Sequence, residues 1–221
     1  MVKTIPTKRG TGISIYGLAH DLKYVYDVVH YIATTLDEGD VQLKGRHQLL
    51  MNFAYEIRKA YQEARLKKTF IQQNGEEVEY LGFNIVWTDI LIFLNVLRDQ
   101  ATYLPTNKRQ QSVLYSLESS VEEAFRAYDL ESADGILSFI EHRFFVRSQY
   151  CFILYQAVHI EFVGQAGGKR RFKKLPLLLS SYFSEFHEVH IDIINRLEST
   201  AKQQNCDPTE LGYSEFPEIR W

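Results

Sequence analysis

The longest apolar segment of the chain, Tyr80–Leu104, predicts a strand that leads directly into a buried helix. Between Ile90 and Leu97 the single polar residue is Asn95, so this helix has almost no solvent face and needs neighbours on most sides. Thr88 is its predicted N-cap, and Asp89 lies in the first turn, where its charge favours the helix dipole. The apolar run is shorter than the roughly 18 residues that a membrane span needs, so we expect a central helix and no membrane partner.

Helical periodicity predicts several amphipathic helices around this element. Apolar residues recur at helical spacing in residues 21–36, 47–67 and 106–128, the last with Thr106 as its cap, and in one long helix that opens at Pro176. Another helix is predicted to begin at Ser132 and either to continue to Val163 or to break near Arg147. Residues 150–163 are rich in aromatic and β-branched side chains, so the pattern leaves helix and strand open there.

Two stretches with alternating polarity predict a small antiparallel sheet. Gly10–Gly17 has the pattern of a short, half-buried strand between glycine turns. Asn74-Gly75 lies between two alternating stretches, which predicts a hairpin with a two-residue type I′ turn. The predicted fold class is therefore α+β and mostly α, a helical bundle around a buried central helix with a small sheet made of the N-terminal strand and the hairpin.

Composition indicates an ordinary globular protein. The 221 residues are 45% hydrophobic and 24% charged, with no linker-like segment or internal repeat, so we expect residues 1–221 to form a single domain. The tail, residues 206–221, is expected to dock on the domain or on a partner because it carries five large apolar side chains. They are Leu211, Tyr213, Phe216, Ile219 and Trp221.

The N-terminus and the cysteine content favour the cytoplasm. Residues 1–10 lack the apolar core of a signal peptide, and two cysteines, Cys151 and Cys206, are too few for a disulfide framework in a chain of this size. Cys151 lies in an apolar run and is most simply a small buried residue. The cysteine spacing indicates no zinc site, and no other pattern identifies a cofactor.

One segment, Gly164–Lys174, carries a concentrated basic run and is predicted to be a surface loop. Five of six consecutive residues are candidates for an anion or nucleic-acid contact: Lys169, Arg170, Arg171, Lys173 and Lys174. The spacing does not match a P-loop. A solvated loop explains the same residues and is favoured, since the net charge is −3 and nucleic-acid-binding proteins usually show a basic excess. Nucleic-acid binding is thus an unfavoured alternative that stays open.

Two helical pairs have spacings that could direct ligands at a metal. His187 and His190 are three residues apart among carboxylates, and Asp27 with His30 repeats a carboxylate-x-x-His spacing. No second set completes a di-iron pattern. A solvated polar helix face explains these residues as well and is favoured.

A third candidate is the polar patch formed by Tyr55, Glu56 and Arg58. These residues alternate with the apolar stripe of a predicted helix, which indicates either an ordinary charged face or a polar wall of a groove beside the hairpin. The charged face is the favoured interpretation. No sequence motif for a catalytic serine, cysteine or metalloprotease is present.

Three stretches together resemble a known family. They are the glycine-rich start Gly10-Thr11-Gly12, the helical stretch Phe53–Ala60, and Gly82–Trp87. In these residues the chain is similar to an uncharacterised bacterial protein family, a domain of unknown function. The resemblance implies a bacterial cytoplasmic protein and carries no activity or ligand with it.

The sequence leaves three functional hypotheses. The first is a non-enzymatic binding or interaction protein that self-associates as a homo-oligomer or binds a protein partner, because the chain has 14 Phe and 14 Tyr but no convincing catalytic constellation. The second is a metal-dependent or small-molecule enzyme with a helical His/carboxylate site. The third is a nucleic-acid-binding protein that uses the basic run.

Overall fold

The computed structural model describes residues 2–62, 65–72, 74–142 and 144–221, and its architecture is α+β and mostly helical, as predicted. The strands and helices are, in chain order, β1 (Lys3–Pro6), β2 (Gly12–Gly17), α1 (Ala19–Ala33), α2 (Val41–Tyr61), β3 (Leu66–Ile71), β4 (Glu77–Val86), α3 (Trp87–Ala101), α4 (Lys108–Tyr128), α5 (Leu130–His142), α6 (Cys151–Gly164), α7 (Lys169–Lys173), α8 (Leu175–Phe183) and α9 (Glu188–Gln204). A 3-10 turn, Pro208–Glu210, precedes the irregular tail.

The central element is α3, whose residues are buried almost throughout, as the apolar run predicted. Strand β4 ends at Val86 and α3 begins at the next residue, so the predicted strand-to-helix junction is confirmed. The predicted N-cap was wrong. Val86 occupies that position, because its pairing with Gly12 holds the chain extended up to the helix, and Thr88 lies inside the first turn.

Four antiparallel strands form the sheet, in the order β1-β2-β4-β3. At its centre β2, the strand predicted near the N-terminus, pairs with β4, the long strand of the hairpin, and Ser14 lies opposite Asn84. The edge strand β1 was not predicted, because it has four residues and ends at a proline, too short for alternation to be visible.

The hairpin between β3 and β4 exists, but its predicted turn was wrong. The N–H of Gln72 donates to Glu76 O at 2.8 Å, which makes the connection one residue longer than a two-residue turn. Gly75 has φ of +83°, a conformation that glycine adopts without strain. A type I′ hairpin turn has only two residues between the paired positions, so this longer connection does not match it.

Several helices begin at other residues than the hydrophobic periodicity predicted. Helix α2 begins six residues earlier than predicted, because the Asp40 side chain accepts the backbone N–H of Gln42 at 2.8 Å and caps it. Helix α4 begins after Asn107, which forms a capping box with Gln110 and displaces Thr106 as the cap. Helix α5 begins two residues before Ser132.

The second half of the chain contains more helices than predicted. Residues 151–164 form helix α6 rather than a strand, and the segment after Ser132 does not run on as one element. The last predicted helix is two helices, α8 and α9, because the chain leaves helical geometry at Ser184, where ψ is 117°. The basic run is the short helix α7 and not a loop. Across the described ranges no helix is both long and apolar enough to cross a membrane.

The tail lies against the rest of the chain. The hydroxyl of Thr11 donates to Arg220 O at 2.5 Å, and the N–H of Tyr213 donates to the Gln156 side chain at 3.3 Å. Ile219 and Trp221 are partly buried against the main core. The tail is therefore placed beside the ends of β4 and α6.

Candidate functional site

The central feature of the candidate site is a buried pair of ionisable side chains, Asp89 and His159. The Nδ1 atom of His159 lies 2.9 Å from each carboxylate oxygen of Asp89. Both residues are 6% exposed. Asp89 is held in the first turn of α3 by the strand that precedes it, and His159 lies on α6, which packs against α3. Two apolar helices thus carry one buried polar contact between them.

Two further side chains surround the Asp89 carboxylate. The hydroxyl of Thr88 donates to one carboxylate oxygen at 3.0 Å. The hydroxyl of Tyr155 lies 3.5 Å from the other, which is the limit of a hydrogen bond. Tyr155 and His159 are four residues apart and therefore share one face of α6. The carboxylate consequently has three neighbouring groups that each fix its orientation.

The surroundings of Asp89 change the pKa values of its two partners on α6. Burial alone lowers the pKa of His159, but the charge of Asp89 and its hydrogen bond outweigh burial, so the pKa is raised above its ordinary value. The pKa of the Tyr155 phenol is raised well above its ordinary value, first by burial and then by the charge of Asp89. Tyr155 therefore stays protonated at any physiological pH.

The pair lies in the wall of a cleft of about 620 Å³ that is open to solvent on one side. The cleft is enclosed by the end of β4, by helices α2, α3 and α6, and by the tail. The remaining polar lining residues are Asn52, Tyr55, Glu56, Arg65 and Asn84, and the apolar ones include Phe83, Phe93, Ile219 and Trp221. The cleft therefore combines aromatic walls with a small number of polar groups, as small-molecule sites commonly do.

One ring nitrogen of His159 is not engaged by the protein. Nδ1 contacts Asp89, and Nε2 has no hydrogen-bond partner within the described part of the chain. The ring of Phe216, in the tail, packs edge-on against the imidazole with its centroid 6.0 Å away. The tail thus packs against the imidazole of a residue that also lines the cleft.

A hydrogen-bond donor is positioned on the strand side of the cleft. The hydroxyl of Ser14 donates to Asn84 Oδ1 at 2.6 Å across the β2–β4 pairing. In this orientation of the amide, the carbonyl oxygen of Asn84 is occupied by the Ser14 hydroxyl. The NH₂ group of Asn84 is then the part of the side chain that is left to donate to a bound molecule.

The predicted polar patch is split by the structure. Tyr55 and Glu56 line the cleft, and Glu56 forms an ion pair at 2.9 Å with Arg65, which lines the cleft as well. Arg58 lies outside the lining and stacks over the Tyr55 ring, 5.3 Å from its centroid. Two of the three residues therefore border the groove beside the hairpin.

The histidine pair His187 and His190 does not converge on one point. His187 is the N-cap of α9, where its Nδ1 accepts the N–H of Val189 at 3.2 Å. His190 is buried, and its Nδ1 lies 2.7 Å from Tyr182 O. Each imidazole therefore uses its Nδ1 for a different backbone group, and the two rings do not form one metal site.

The second metal candidate, Asp27 with His30, is also separated. Asp27 pairs with Lys23 at 2.8 Å, and His30 packs against the Tyr26 ring with centroids 5.3 Å apart. Among the residues that the structure describes, no group of three or more His, Cys, Asp and Glu side chains is placed to hold a metal ion.

The basic run has two kinds of side chain. Arg171 is buried, and its guanidinium donates to Phe162 O at 3.2 Å, to Gln165 O at 3.1 Å and to the Thr11 hydroxyl at 2.8 Å. It thereby satisfies carbonyl groups at the C-terminal end of α6 with a positive charge, which the helix dipole favours. Lys169 and Lys173 lie 4.0 and 3.9 Å from the buried carboxylate of Asp129.

The remaining two cations of the run, Arg170 and Lys174, are exposed. A single basic surface made of all five side chains is therefore not formed.

The sequence contained one signal for the Asp89–His159 pair, which an analysis of hydrophobic periodicity does not detect. Each residue is an ionisable group in one of the most apolar segments of the chain, and a buried charge is almost always paired. Which partner each would find depends on how α3 and α6 pack, and that is a tertiary property.

The fold and the cleft define a mostly helical α+β protein with a buried Asp–His pair beside a solvent-open cleft. The family model described as "Domain of unknown function (DUF6904)" matches residues 2–221, so the chain belongs to this family. A family of unknown function was what the resemblance in the first half of the chain indicated. No curated protein and no solved structure matches the chain.

Proposed function

We propose that this protein is a small-molecule enzyme in which His159 transfers a proton to or from a ligand bound in the cleft. The observation that carries the proposal is the geometry of the pair: Nδ1 is held by the Asp89 carboxylate, His159 lines the cleft, and its Nε2 has no protein partner among the described residues. Histidine is the side chain best suited to proton transfer near neutral pH.

Asp89 has two roles in this proposal. Its hydrogen bond keeps the proton of neutral His159 on Nδ1, which leaves the lone pair on Nε2 to act as the base. When Nε2 takes a proton, the carboxylate stabilises the imidazolium that forms. The direction of the His159 pKa supports this role, since Asp89 raises it against the effect of burial.

The polar residue on the strand side fits the same chemistry. When a C–H or O–H bond of a ligand loses its proton to Nε2, the electron pair stays on the ligand and negative charge develops there. The NH₂ group of Asn84, whose carbonyl oxygen accepts the Ser14 hydroxyl, is a donor that can stabilise such charge. No serine, threonine or cysteine is among the described residues that line the cleft, so the proposal assigns His159 proton transfer with the ligand and not the activation of a hydroxyl or thiol nucleophile.

The test starts from binding because the ligand is unidentified. A panel of small metabolites is screened by thermal shift, and each compound that stabilises the protein is incubated with it in D₂O and followed by ¹H NMR. We expect turnover, or exchange of a ligand C–H for deuterium, with the wild-type protein. His159→Gln should slow this by at least about 100-fold while binding is retained.

His30→Gln, a partly exposed histidine on α1, is the matched control and should not change the rate. Ligands that bind in the cleft but show neither turnover nor exchange would contradict the proposed proton transfer. Equal rates for wild-type protein and His159→Gln would contradict it as well.

Self-association is a second candidate function, and a specific surface favours it. Phe186 is 92% exposed and Phe145 is 41% exposed, and both border one shallow depression at the C-terminal end of α8. Exposed neighbouring aromatic residues are typical of protein interfaces. A second copy of the chain is the proposed partner.

Sedimentation velocity tests this second candidate. The wild-type protein should sediment as a dimer or larger species at micromolar concentration, and Phe186→Asp should convert it to monomer. Ile71→Asp, which changes an equally apolar and 70% exposed side chain on the hairpin, is the control and should remain associated. A monomeric wild-type protein would refute self-association.

The cytoplasm remains the proposed compartment. Both cysteines, Cys151 and Cys206, are free thiols, which supports a reducing environment.

A further inference from the structure

A second cavity, of about 510 Å³, is also bordered by the tail but shares none of the described residues that line the cleft. Its walls are the turn before β2, the segment between α6 and α7, and residues 217–220 of the tail. Three arginines contribute to the lining, Arg9, Arg171 and Arg220, and the one carboxylate among the described lining residues is Glu218. The cavity therefore has a positive excess in a protein whose net charge is −3.

Arg171 supplies a fixed charge to this cavity. It is 4% exposed and is held by the carbonyls at the end of α6 and by the Thr11 hydroxyl. Its Nε has no hydrogen-bond partner in the described structure. A buried guanidinium that faces carbonyl dipoles and no carboxylate retains an unneutralised positive charge.

The other two arginines can close on a ligand from the solvent side. Arg9 and Arg220 are both exposed, and the side chain of Arg9 makes no ion pair within the described residues. Arg220 lies 3.9 Å from Glu218, a distance that leaves the guanidinium largely to solvent. Both cations are therefore available, and Glu218 is the group that opposes anion binding.

The backbone beside these arginines is also suited to an anion. The N–H groups of Ala166 and Gly167 have no acceptor in the described part of the chain. A Cβ atom at Gly167 would lie 2.9 Å from Arg9 O and 3.6 Å from an Arg171 nitrogen, so glycine permits a close approach of the two segments. Backbone donors and guanidinium groups thus meet at one cavity.

We infer that this cavity binds a single phosphate group, carried either by free inorganic phosphate or by a small phosphomonoester. Arg171 provides the buried charge, and Arg9 and Arg220 contact the phosphate oxygens from the solvent side. The site is separate from the Asp89–His159 cleft, so it does not depend on the proposed enzyme activity. It also differs from a basic nucleic-acid surface, because the cations converge on a cavity.

Isothermal titration calorimetry with the full chain at constant ionic strength tests this inference, with inorganic phosphate and glycerol phosphate as the probes. We expect saturable binding of at least one probe. Arg9→Ala and Arg220→Ala should each weaken it about tenfold or more, since each removes one charged contact. Tighter binding of glycerol phosphate than of inorganic phosphate would identify a phosphomonoester as the ligand, and the reverse order would identify the free ion.

Two further variants distinguish a built site from general charge. Glu218→Gln should strengthen phosphate binding severalfold, because it removes the opposing carboxylate. Arg126→Ala, an exposed arginine on α4 that pairs with Asp134, is the matched control and should leave the affinity unchanged. The inference is overturned if neither probe binds with a Kd below about 10 mM, or if the control weakens binding as much as Arg9→Ala. Binding of a single-stranded oligonucleotide without binding of either phosphate probe would also overturn it.

Discussion

Replacement of Asp89 by asparagine removes one charge from the buried pair and keeps the size of the side chain. In the wild-type protein the charge of Asp89 and its hydrogen bond hold the pKa of His159 above the ordinary value of about 6.5, against the effect of burial. In Asp89→Asn burial remains and the charge is gone. The pKa of His159 should therefore fall below its ordinary value.

The free energy of unfolding should change with a definite dependence on pH. The folded pKa of His159 is raised above the unfolded one, so the stabilisation from the pair is fully present below about pH 6.5 and is lost as the pH rises through the folded pKa. A hydrogen bond to a charged group contributes about 1.5–3 kcal/mol. We expect Asp89→Asn to cost about that much at pH 6, and less at pH 9, where the histidine is neutral.

Two measurements follow from this. NMR titration of the histidine ring resonances gives the pKa of His159 in both proteins, and urea unfolding at pH 6 and pH 9 gives the free energies. Asp27→Asn, at an exposed pair with Lys23, is the control and should change the stability at neither pH. An unshifted pKa of His159 in Asp89→Asn, or an equal loss of stability at both pH values, would refute the electrostatic account.

Three other predictions concern burial and packing. Burial raises the pKa of the Cys151 thiol to about 12, so at pH 8 a thiol reagent should label Cys206 in the folded protein and both cysteines only after unfolding; rapid labelling of both would contradict this. Arg171→Met should cost at least about 2 kcal/mol in urea unfolding, because it leaves carbonyls at the end of α6 without donors, and a neutral result would show that water replaces them. Gly135→Ala, inside α5 with open space around it, should raise the free energy of unfolding by about 0.5–1 kcal/mol. Gly12→Ala should prevent folding, because its Cβ would meet Ile85 O at 1.9 Å. Equal melting temperatures for the two variants would argue against the packing described.

Local pattern was sufficient for the main elements of the fold. The apolar run from Ile90 to Leu97 predicted a buried central helix, and Asn74-Gly75 predicted the position of the hairpin. Helix boundaries were less predictable, because they depend on which side chain forms the capping hydrogen bond. At the start of α4 this is Asn107, in a capping box with Gln110, and not the predicted Thr106. Helix or strand stayed open at 150–163 because helix α6 packs against α2, α3 and α8, and local sequence does not encode these contacts.

The candidate cleft was predictable only in part, for a physical reason. Tyr55 and Glu56 belong to an amphipathic helix, so their position on its polar face followed from periodicity. His159 and Asp89 are 70 residues apart, on helices whose mutual contact is tertiary. Arg171 illustrates the opposite error: five adjacent cations suggested one basic surface, but burial against the end of α6 removed the central one from it.

The pairing of β2 with β4 also has a kinetic consequence. Ser14 and Asn84 are 70 residues apart, and Thr11 and Arg220 are 209 apart, so both contacts close very long loops. Contacts between distant residues form slowly, because the entropy of loop closure must be lost before they are gained. The helical pair α1–α2 lies between β2 and β4 in the chain. If this pair forms early, it shortens the flexible loop that must close before β2 pairs with β4. On this reasoning the strand that carries Asn84 and the tail that borders the cleft take their places late in folding, after the helices have assembled.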